Sequence, residues 1–417
     1  MAHVKVVQKR RSEHVKRDAT ETPWRAPNWF CSPHNFDPNL RIPPHRVELH
    51  DITVRDGEEC ADVAFTVDDK VRIAEALALV GIRRMELFLT VPGWLEAVRA
   101  ILRRKLPLEL YVTWHPGRVE RVLELGVKQV MVWYRILEEH QRYDLKRTRT
   151  DLMTQAANQI ADARRAGCQA NLFIVEASRA PLDQLQETVR VGKEAGATSI
   201  TVVDSFGVAR PAAVAFLVRK VIEWTGLPVD VHCHNDFGLS TANVLAAYEA
   251  GATGLNVAVN GLGYRAGNAA LDEVAMALEV LYGVDTGLRL DMLPWLSHVV
   301  AEITGIPVGY FKPITGKGAF SVEQWKTGAA METGGTRPVV FPFEPEVVGR
   351  TPRVVIGKWS DVGAVAKKLT DYGLTASPDQ MSLILIGCQR AGIARHRPLN
   401  DDEFLAIALA GGAVGSE

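Results

Sequence analysis

From residue 47 onward, short apolar runs alternate with longer stretches whose apolar positions recur at the helical period. Runs of strand length occupy residues 47–54, 83–89, 108–114, 127–133, 169–175, 198–204, 228–234 and 254–260. Between them lie helical stretches such as residues 67–81 and 210–226. Eight strands that alternate with helices are typical of a closed parallel barrel, so the pattern predicts an α/β fold of the (β/α)8 TIM-barrel type.

Glycines mark the predicted junctions between a helix and the next strand. A glycine at this point is the usual left-handed cap of a helix C-terminus. The six positions are Gly81, Gly126, Gly167, Gly196, Gly226 and Gly251. A doubly wound open sheet is the main alternative, but no G-x-G-x-x-G follows the first predicted strand, which weakens it.

The segments before and after the predicted barrel differ from it in composition. Residues 1–46 are first basic and then rich in Pro, Asn and aromatic residues, which predicts an N-terminal arm. Residues 47–285 form the predicted barrel, and residues 286–417 a linker with a small helical subdomain. We expect a homodimer in which residues after 285 approach the barrel mouth of the other subunit. The reason is that the Gly- and Pro-rich linker carries apolar side chains that must be buried somewhere. These are Val339, Val340, Phe341 and Phe343.

Composition narrows the class of protein. The 417 residues include 48 basic and 49 acidic side chains, which gives no electrostatic reason to expect nucleic acid or an anionic membrane as a partner. No run of about 18 apolar residues occurs, and the basic N-terminus lacks the apolar core of a signal peptide, so we expect a cytoplasmic protein. The five cysteines are widely spaced without a C-x-x-C pair, which favours free thiols over disulfides.

Polar residues gather where the predicted strands end, which is the face where barrel enzymes place their sites. The His232-x-His234 pair would put both imidazoles on one side of the seventh strand. Asp56 follows the first strand, which neighbours the eighth on barrel closure, and Asn268 follows the eighth. Two imidazoles, a carboxylate and an amide oxygen suit Mg²⁺, Mn²⁺, Co²⁺ or Zn²⁺, so the sequence predicts a divalent-metal site. Two histidines satisfied by hydrogen bonds are the structural alternative.

Other groups at the same face have less specific interpretations. Arg55 either forms a salt bridge at the barrel rim or stabilises a developing oxyanion. Glu86, Glu176 and His115 are candidates for proton transfer or for support of the metal ligands, and each has a structural alternative. Asp204 could be a structural acceptor at a strand end, and Ser205 could bind a substrate carboxylate.

Three motifs together resemble the metal-dependent carbon–carbon lyase/synthase superfamily. LHDITVRDGEE looks like its D-x-T-x-R-D-G-E-Q signature, and VHCHNDFGLSTANVLAAYEAGA like its H-x-H-N-D block. VNGLGYRAGNAALDEV is similar to N-G-x-G-E-R-x-G-N, which belongs to the isopropylmalate, homocitrate and citramalate synthases. IVEASRAP, with Glu176 and Arg179, and EEHQRYDLKRTRTDL, with His140, resemble further synthase segments. The resemblance runs from about residue 46 to 361.

The resemblance implies roles for individual residues. Asp56, His232 and His234 would bind the metal, with Asn268 close to it. Arg55 would polarise the keto oxygen of a 2-keto acid, and Glu86 would help to shape the keto-acid pocket. Ser205 stands where the synthases have a threonine that holds the keto-acid carboxylate, and His140, Arg179 and Asp204 are further substrate-binding candidates. The synthases also complete their sites across a dimer, which supports the expected homodimer.

The sequence departs from the family pattern on the acyl-CoA side. Glu59 replaces the Gln of the first motif, and Tyr264 replaces the Glu of G-E-R. The stretch AFSVEQWKTGAAM lacks the histidine that the synthases use to activate acetyl-CoA, and Thr327 stands in its place. These changes favour a specialised reaction in the family over leucine or lysine synthesis. Because the metal and keto-acid half of the site keeps the family pattern, we expect a Claisen-type acyltransferase that joins an acyl-CoA, acetyl-CoA first, to a 2-keto acid, with Glu176 as the base. A metal-dependent aldol-type lyase, a synthase with another donor and a non-catalytic barrel are the alternatives.

Overall fold

The computed structural model describes residues 23–325 and 340–415, apart from residues 27 and 44. Eight parallel strands form a closed barrel in chain order, and the eighth pairs with the first through Val257 and Asp51. The strands are β1 Glu48–Asp51, β2 Arg84–Leu87, β3 Glu109–Thr113, β4 Gln129–Arg135, β5 Gln169–Val175, β6 Ser199–Asp204, β7 Val229–Cys233 and β8 Gly254–Val257. The predicted TIM barrel is confirmed, and each strand falls within or close to the apolar run that predicted it.

Helices follow the strands and cover the outside of the barrel. They are α1 Val67–Val80, α2 Trp94–Arg103, α3 Val119–Leu123, α4 Arg149–Arg165, α5 Leu182–Glu194, α6 Pro211–Thr225, α7 Ser240–Glu249, α8 Leu271–Val280 and α9 Leu293–Thr304. Helix α1 begins with a capping box between Thr66 and Asp69 and ends at Gly81, whose φ of 106° only glycine adopts readily. All six predicted cap glycines have positive φ. Within the described part of the chain, no helix has both the length and the apolar character needed to cross a membrane.

The N-terminal end of the barrel interior is polar and charged. Arg84 on β2 forms ion pairs with Glu48 on β1 and, at 3.8 Å, with Asp230 on β7. Asp230 takes the space beside Gly254, where a Cβ would lie 2.1 Å from the aspartate Oδ1. Glycine at residue 254 is therefore required by packing. Because these charged side chains fill the N-terminal end of the barrel interior, the C-terminal end is left for the site.

The chain divides into two compact units. One contains residues 34–308 and includes the whole barrel, and the other contains residues 1–33 and 309–417. The second unit holds α10 Val362–Asp371, α11 Pro378–Arg395 and α12 Asp401–Ala410, which confirms a helical C-terminal part. These helices pack around buried apolar side chains that include Val365, Ile384 and Phe404.

The N-terminal arm and the Gly- and Pro-rich stretch meet within this second unit. Trp29 bridges to Phe343, and the rings of Phe341 and Phe343 lie 5.6 and 5.5 Å from that of Phe320. Both phenylalanines are buried within one chain, so their burial does not itself require a partner subunit. Val339 lies outside the described residues.

Candidate active site

Three side chains with metal-binding atoms converge at the C-terminal end of the barrel. His232 belongs to β7, His234 follows that strand, and Asp56 lies in the loop after β1. The two imidazole Nε2 atoms are 3.1 Å apart, and they lie 3.5 and 3.8 Å from Asp56 Oδ2. All three side chains are buried, and they are the one such group found among the described residues. The structure therefore brings together the predicted Asp and His-x-His residues.

The chemistry of these atoms fits a divalent cation. Burial lowers the pKa of both histidines, which keeps the imidazoles neutral with lone pairs for a metal. Burial alone would raise the pKa of Asp56, but the adjacent Arg55 guanidinium is the main opposing influence, and that pKa lies well below its usual range. Asn268 donates its Nδ2 to Asp56 Oδ1 at 2.7 Å, while its own Oδ1 is buried and has no hydrogen-bond partner in the described part of the chain. An orphaned amide oxygen beside a carboxylate and two imidazoles is the donor set expected around Mg²⁺, Mn²⁺, Co²⁺ or Zn²⁺.

The loop after β8 holds the Asp56 carboxylate in place. The backbone N–H of Tyr264 donates to Asp56 Oδ1 at 3.0 Å. A Cβ at Gly263 would lie 2.0 Å from Asn268 Nδ2 and 2.7 Å from Asp56 Oδ1, so only glycine fits there. The side chain of Tyr264, which replaces the family's glutamate, is 47% exposed. The contribution of residue 264 to the ligand shell is thus made through its backbone, which sequence reasoning did not identify.

Arg55 is enclosed at the centre of the site. Its Nη1 donates to Asp56 Oδ2 at 2.6 Å, and its Nε lies 2.7 Å from Glu86 Oε1. The guanidinium carbon lies within 6 Å of three aromatic ring centroids, those of Phe88, Trp133 and Phe173. Arg55 is 1% exposed, and its Nη2 has no hydrogen-bond partner among the described residues. A buried guanidinium with a free donor is more consistent with binding a ligand oxygen than with a salt bridge at a solvated rim.

Glu86 serves as the partner of Arg55. Its side chain is fully buried on β2, and burial raises its pKa to about 7 although Arg55 acts to lower it. Glu86 therefore contacts the guanidinium through Nε and leaves Nη2 free.

A second polar group surrounds Glu176. Its carboxylate Oε1 lies 2.6 Å from His140 Nε2, and its Oε2 lies 3.7 Å from Arg179 Nη1. Its backbone N–H donates to Ser205 Oγ at 2.9 Å. Glu176 has φ 64°, a left-handed conformation that is strained for a residue with a side chain and is often found at functional sites. The structure thus brings together four of the sequence-predicted residues, Glu176, His140, Arg179 and Ser205.

Two predicted residues have different surroundings. Asp204 accepts hydrogen bonds from Ser178 Oγ at 2.6 Å and from the backbone N–H groups of Val208 and Ala209 at 3.1 Å. Its carboxylate therefore closes the loop after β6, which matches the structural interpretation. His115 lies on the loop after β3, with its Nδ1 3.2 Å from the Pro116 carbonyl oxygen. Within the described residues, it contacts neither the group around Asp56 nor the group around Glu176.

Sequence reasoning also missed an aromatic and cationic rim. The Phe206 ring lies between two guanidinium groups, 4.1 Å from that of Arg179 and 4.7 Å from that of Arg265. Arg265 pairs with Asp236 at 2.8 Å. The sequence contains both Asp236, in the segment after His234, and Arg265, in the G-Y-R segment. Their contact could not be predicted, because it joins two loops in which these residues are 29 positions apart.

Comparison with known proteins finds relatives both in sequence and in structure. The sequence profile of the HMGL-like family matches residues 46–300. A 2-isopropylmalate synthase of Sulfolobus acidocaldarius is 35% identical over 350 residues, which cover 82% of this chain and 89% of that protein. A homocitrate synthase of Methanopyrus kandleri is 34% identical over 85% of this chain and 90% of its own length. The crystal structure of the HMG-CoA lyase of Bacillus subtilis shares the fold, with a TM-score of 0.59, 21% identity and coverage of 64% of this chain and 97% of that one.

Proposed function

Since the chain belongs to the HMGL-like family and is an enzyme of the acyltransferase type, we propose that it condenses an acyl-CoA with a 2-keto acid. Acetyl-CoA is the proposed donor, and the product is a 2-hydroxy diacid of the alkylmalate type. The observation that carries this proposal is the free Nη2 of Arg55, buried beside the Asp56, His232 and His234 cluster. That arrangement offers a hydrogen-bond donor and a cation site to one substrate oxygen.

Members of the HMGL-like family generally depend on a divalent metal, and here Asp56, His232 and His234 would hold it, with Asn268 close by. When bound, the cation would supply Lewis-acid polarisation of the keto group and a binding point for the keto-acid carboxylate. Arg55 donates from Nη2 to the keto oxygen, on which negative charge develops as the new bond forms. Glu86 keeps the guanidinium in this orientation through the 2.7 Å contact with Nε.

Glu176 is the proposed base. Its carboxylate removes a proton from the methyl group of the thioester, and the carbanion attacks the keto carbon to form the new carbon–carbon bond. The oxygen of the former keto group then takes a proton. Water hydrolyses the thioester, which leaves a second carboxylate and the free thiol of CoA. His140, in contact with Glu176 Oε1 at 2.6 Å, positions the carboxylate and can share its proton. Ser205 fixes the backbone of Glu176 through the 2.9 Å hydrogen bond.

A second candidate is an aldol-type lyase, or a synthase with a donor other than acetyl-CoA. The missing histidine in AFSVEQWKTGAAM and the exposed Tyr264 side chain favour this alternative. Thr327, the position that matches the missing histidine, lies outside the described residues.

An assay of thiol release separates these candidates. Purified enzyme is supplied with Mg²⁺ or Mn²⁺, one of several acyl-CoA donors and a panel of 2-keto acids, and free CoA is measured with a thiol reagent. The proposal expects thiol release only when acetyl-CoA and a 2-keto acid are both present. Thiol release that requires a donor other than acetyl-CoA together with a keto acid would favour the alternative synthase. A lyase would cleave a 3-hydroxyacyl-CoA, without any keto acid, into a carbonyl product and a shorter acyl-CoA. No thiol is released in that reaction, so the shorter acyl-CoA is detected by mass spectrometry.

A further inference from the structure

An open cleft lies on the active-site face, between the loop that follows β4 and the beginning of α5. Its volume is about 730 Å³. The loop contributes most of the wall, and Gln184 of α5 contributes the opposite side. The residues that line it are Glu138, Gln141, Arg142, Lys146, Arg147, Thr148, Arg149, Asp151 and Gln184. None of the roles proposed above uses this cleft.

The charge of the cleft favours an anion. Four of the lining side chains are cationic, against the two carboxylates of Glu138 and Asp151. One of the four, Arg149, is paired with Glu187 at 2.6 Å, which leaves three cations for a ligand. The Asp151 carboxylate is already engaged in the capping box of α4, where it accepts from Thr148 Oγ1 at 2.7 Å. Among the described residues, neither Arg142 nor Lys146 forms an ion pair. Several donors that surround one open space match the oxygens of phosphate groups.

The base of the cleft is held by buried hydrogen bonds and lies next to the residues around Glu176. Gln141 is 2% exposed, and its Nε2 donates to the carbonyl oxygens of Arg135 and Ile136 at 3.0 and 3.1 Å. The residue before it, His140, contacts the Glu176 carboxylate. A ligand with its reactive end at Glu176 can therefore extend over His140 and place an anionic end among Arg142, Lys146 and Arg147.

We propose that this cleft binds the phosphate groups at the nucleotide end of the acyl-CoA, while the thioester end reaches Glu176. The inference rests on the proposed function, since only an acyl-CoA substrate joins a thioester to a nucleotide through a long flexible arm. The same phosphate chemistry would also suit a separate nucleotide effector, and competition with acetyl-CoA distinguishes the two ligands.

The test removes the two unpaired cations with the double variant Arg142→Gln/Lys146→Gln. A matched control, Arg190→Gln/Lys220→Gln, removes two cations from exposed helical ion pairs outside the cleft. In the cleft variant, the KM for acetyl-CoA should rise about tenfold, as expected for the loss of two partly solvated charge contacts. Its kcat, its KM for the keto acid and all constants of the control should stay within about twofold.

A binding experiment separates failure of this inference from failure of the proposed function. Adenosine 3′,5′-bisphosphate is titrated into each protein by calorimetry, without any turnover. Binding that is about tenfold weaker in the cleft variant than in the control, and competitive with acetyl-CoA, supports the inference even if no keto acid is found. Equal binding by both variants would overturn it even if condensation is observed. Nucleotide binding that does not compete with acetyl-CoA would also overturn it.

Discussion

Replacement of Arg55 by lysine tests whether the guanidinium is an oxyanion donor. The native side chain uses Nη1 on Asp56 at 2.6 Å and Nε beside Glu86 at 2.7 Å, which leaves Nη2 for the substrate. A lysine ammonium is a single point charge and cannot keep both carboxylate contacts and present a third donor in the same plane. Loss of one oxyanion donor lowers kcat by about a hundredfold to a thousandfold. We expect a loss of that size for Arg55→Lys, with metal binding retained.

The assay measures kcat by thiol release at saturating substrates, and bound metal by elemental analysis. Glu86→Gln is the matched control, because it removes the charge of the Glu86 side chain and keeps an oxygen at the position that contacts Arg55 Nε. Burial raises the pKa of Glu86 to about 7, so the carboxyl is already partly protonated near neutral pH, and the control should lose less than about tenfold in kcat.

Near-normal turnover of Arg55→Lys would refute this reasoning, since it would show that the positive charge alone is sufficient. Loss of metal from the same variant would also refute it, because Arg55 would then act by holding Asp56 as a ligand rather than by donating to the substrate.

Three further predictions concern the metal ligands, the base and the expected homodimer. Asp56→Ala and His232→Ala should each abolish metal binding and activity while the circular dichroism spectrum stays native, and full metal content in both variants would contradict the ligand assignment. Glu176→Gln should lower kcat by about a hundredfold to ten-thousandfold while the keto acid still binds, and exchange of the thioester methyl protons at the native rate would exclude Glu176 as the base. The protein should sediment as a homodimer in analytical ultracentrifugation, and a monomer at assay concentrations would show that the site is complete within one chain.

The fold and the convergence of Asp56, His232 and His234 could be predicted because their signals are local. Apolar runs of strand length, each followed by a helical stretch and a cap glycine, identify the barrel without knowledge of any contact. The His232-x-His234 spacing places both imidazoles on the same side of one strand. Barrel closure brings Asp56, in the loop after the first strand, to within 3.8 Å of both imidazoles.

The surroundings of the other groups could not be predicted, because they depend on contacts between distant loops. Asp204 is an unremarkable strand-end aspartate in the sequence, and only the folded loop shows that three donors saturate it. His115 follows its strand as Glu176 does, but nothing in the sequence gives the direction of the ring. The three aromatic rings around Arg55 come from Phe88, directly after β2, from Trp133 on β4 and from Phe173 on β5. The pattern of any single strand does not show such contacts.

Acetyl-CoA that carries three deuterons on its methyl group tests the proposed condensation most directly. The enzyme is incubated with this donor, Mg²⁺ or Mn²⁺ and a panel of 2-keto acids, and the masses of the products are determined by mass spectrometry. If Glu176 removes one methyl proton before the carbon–carbon bond forms, the 2-hydroxy diacid retains two of the three deuterons. Free CoA should then appear in equal amount. Free CoA without any labelled diacid, or a product that retains all three deuterons, would contradict the Claisen-type reaction at this site.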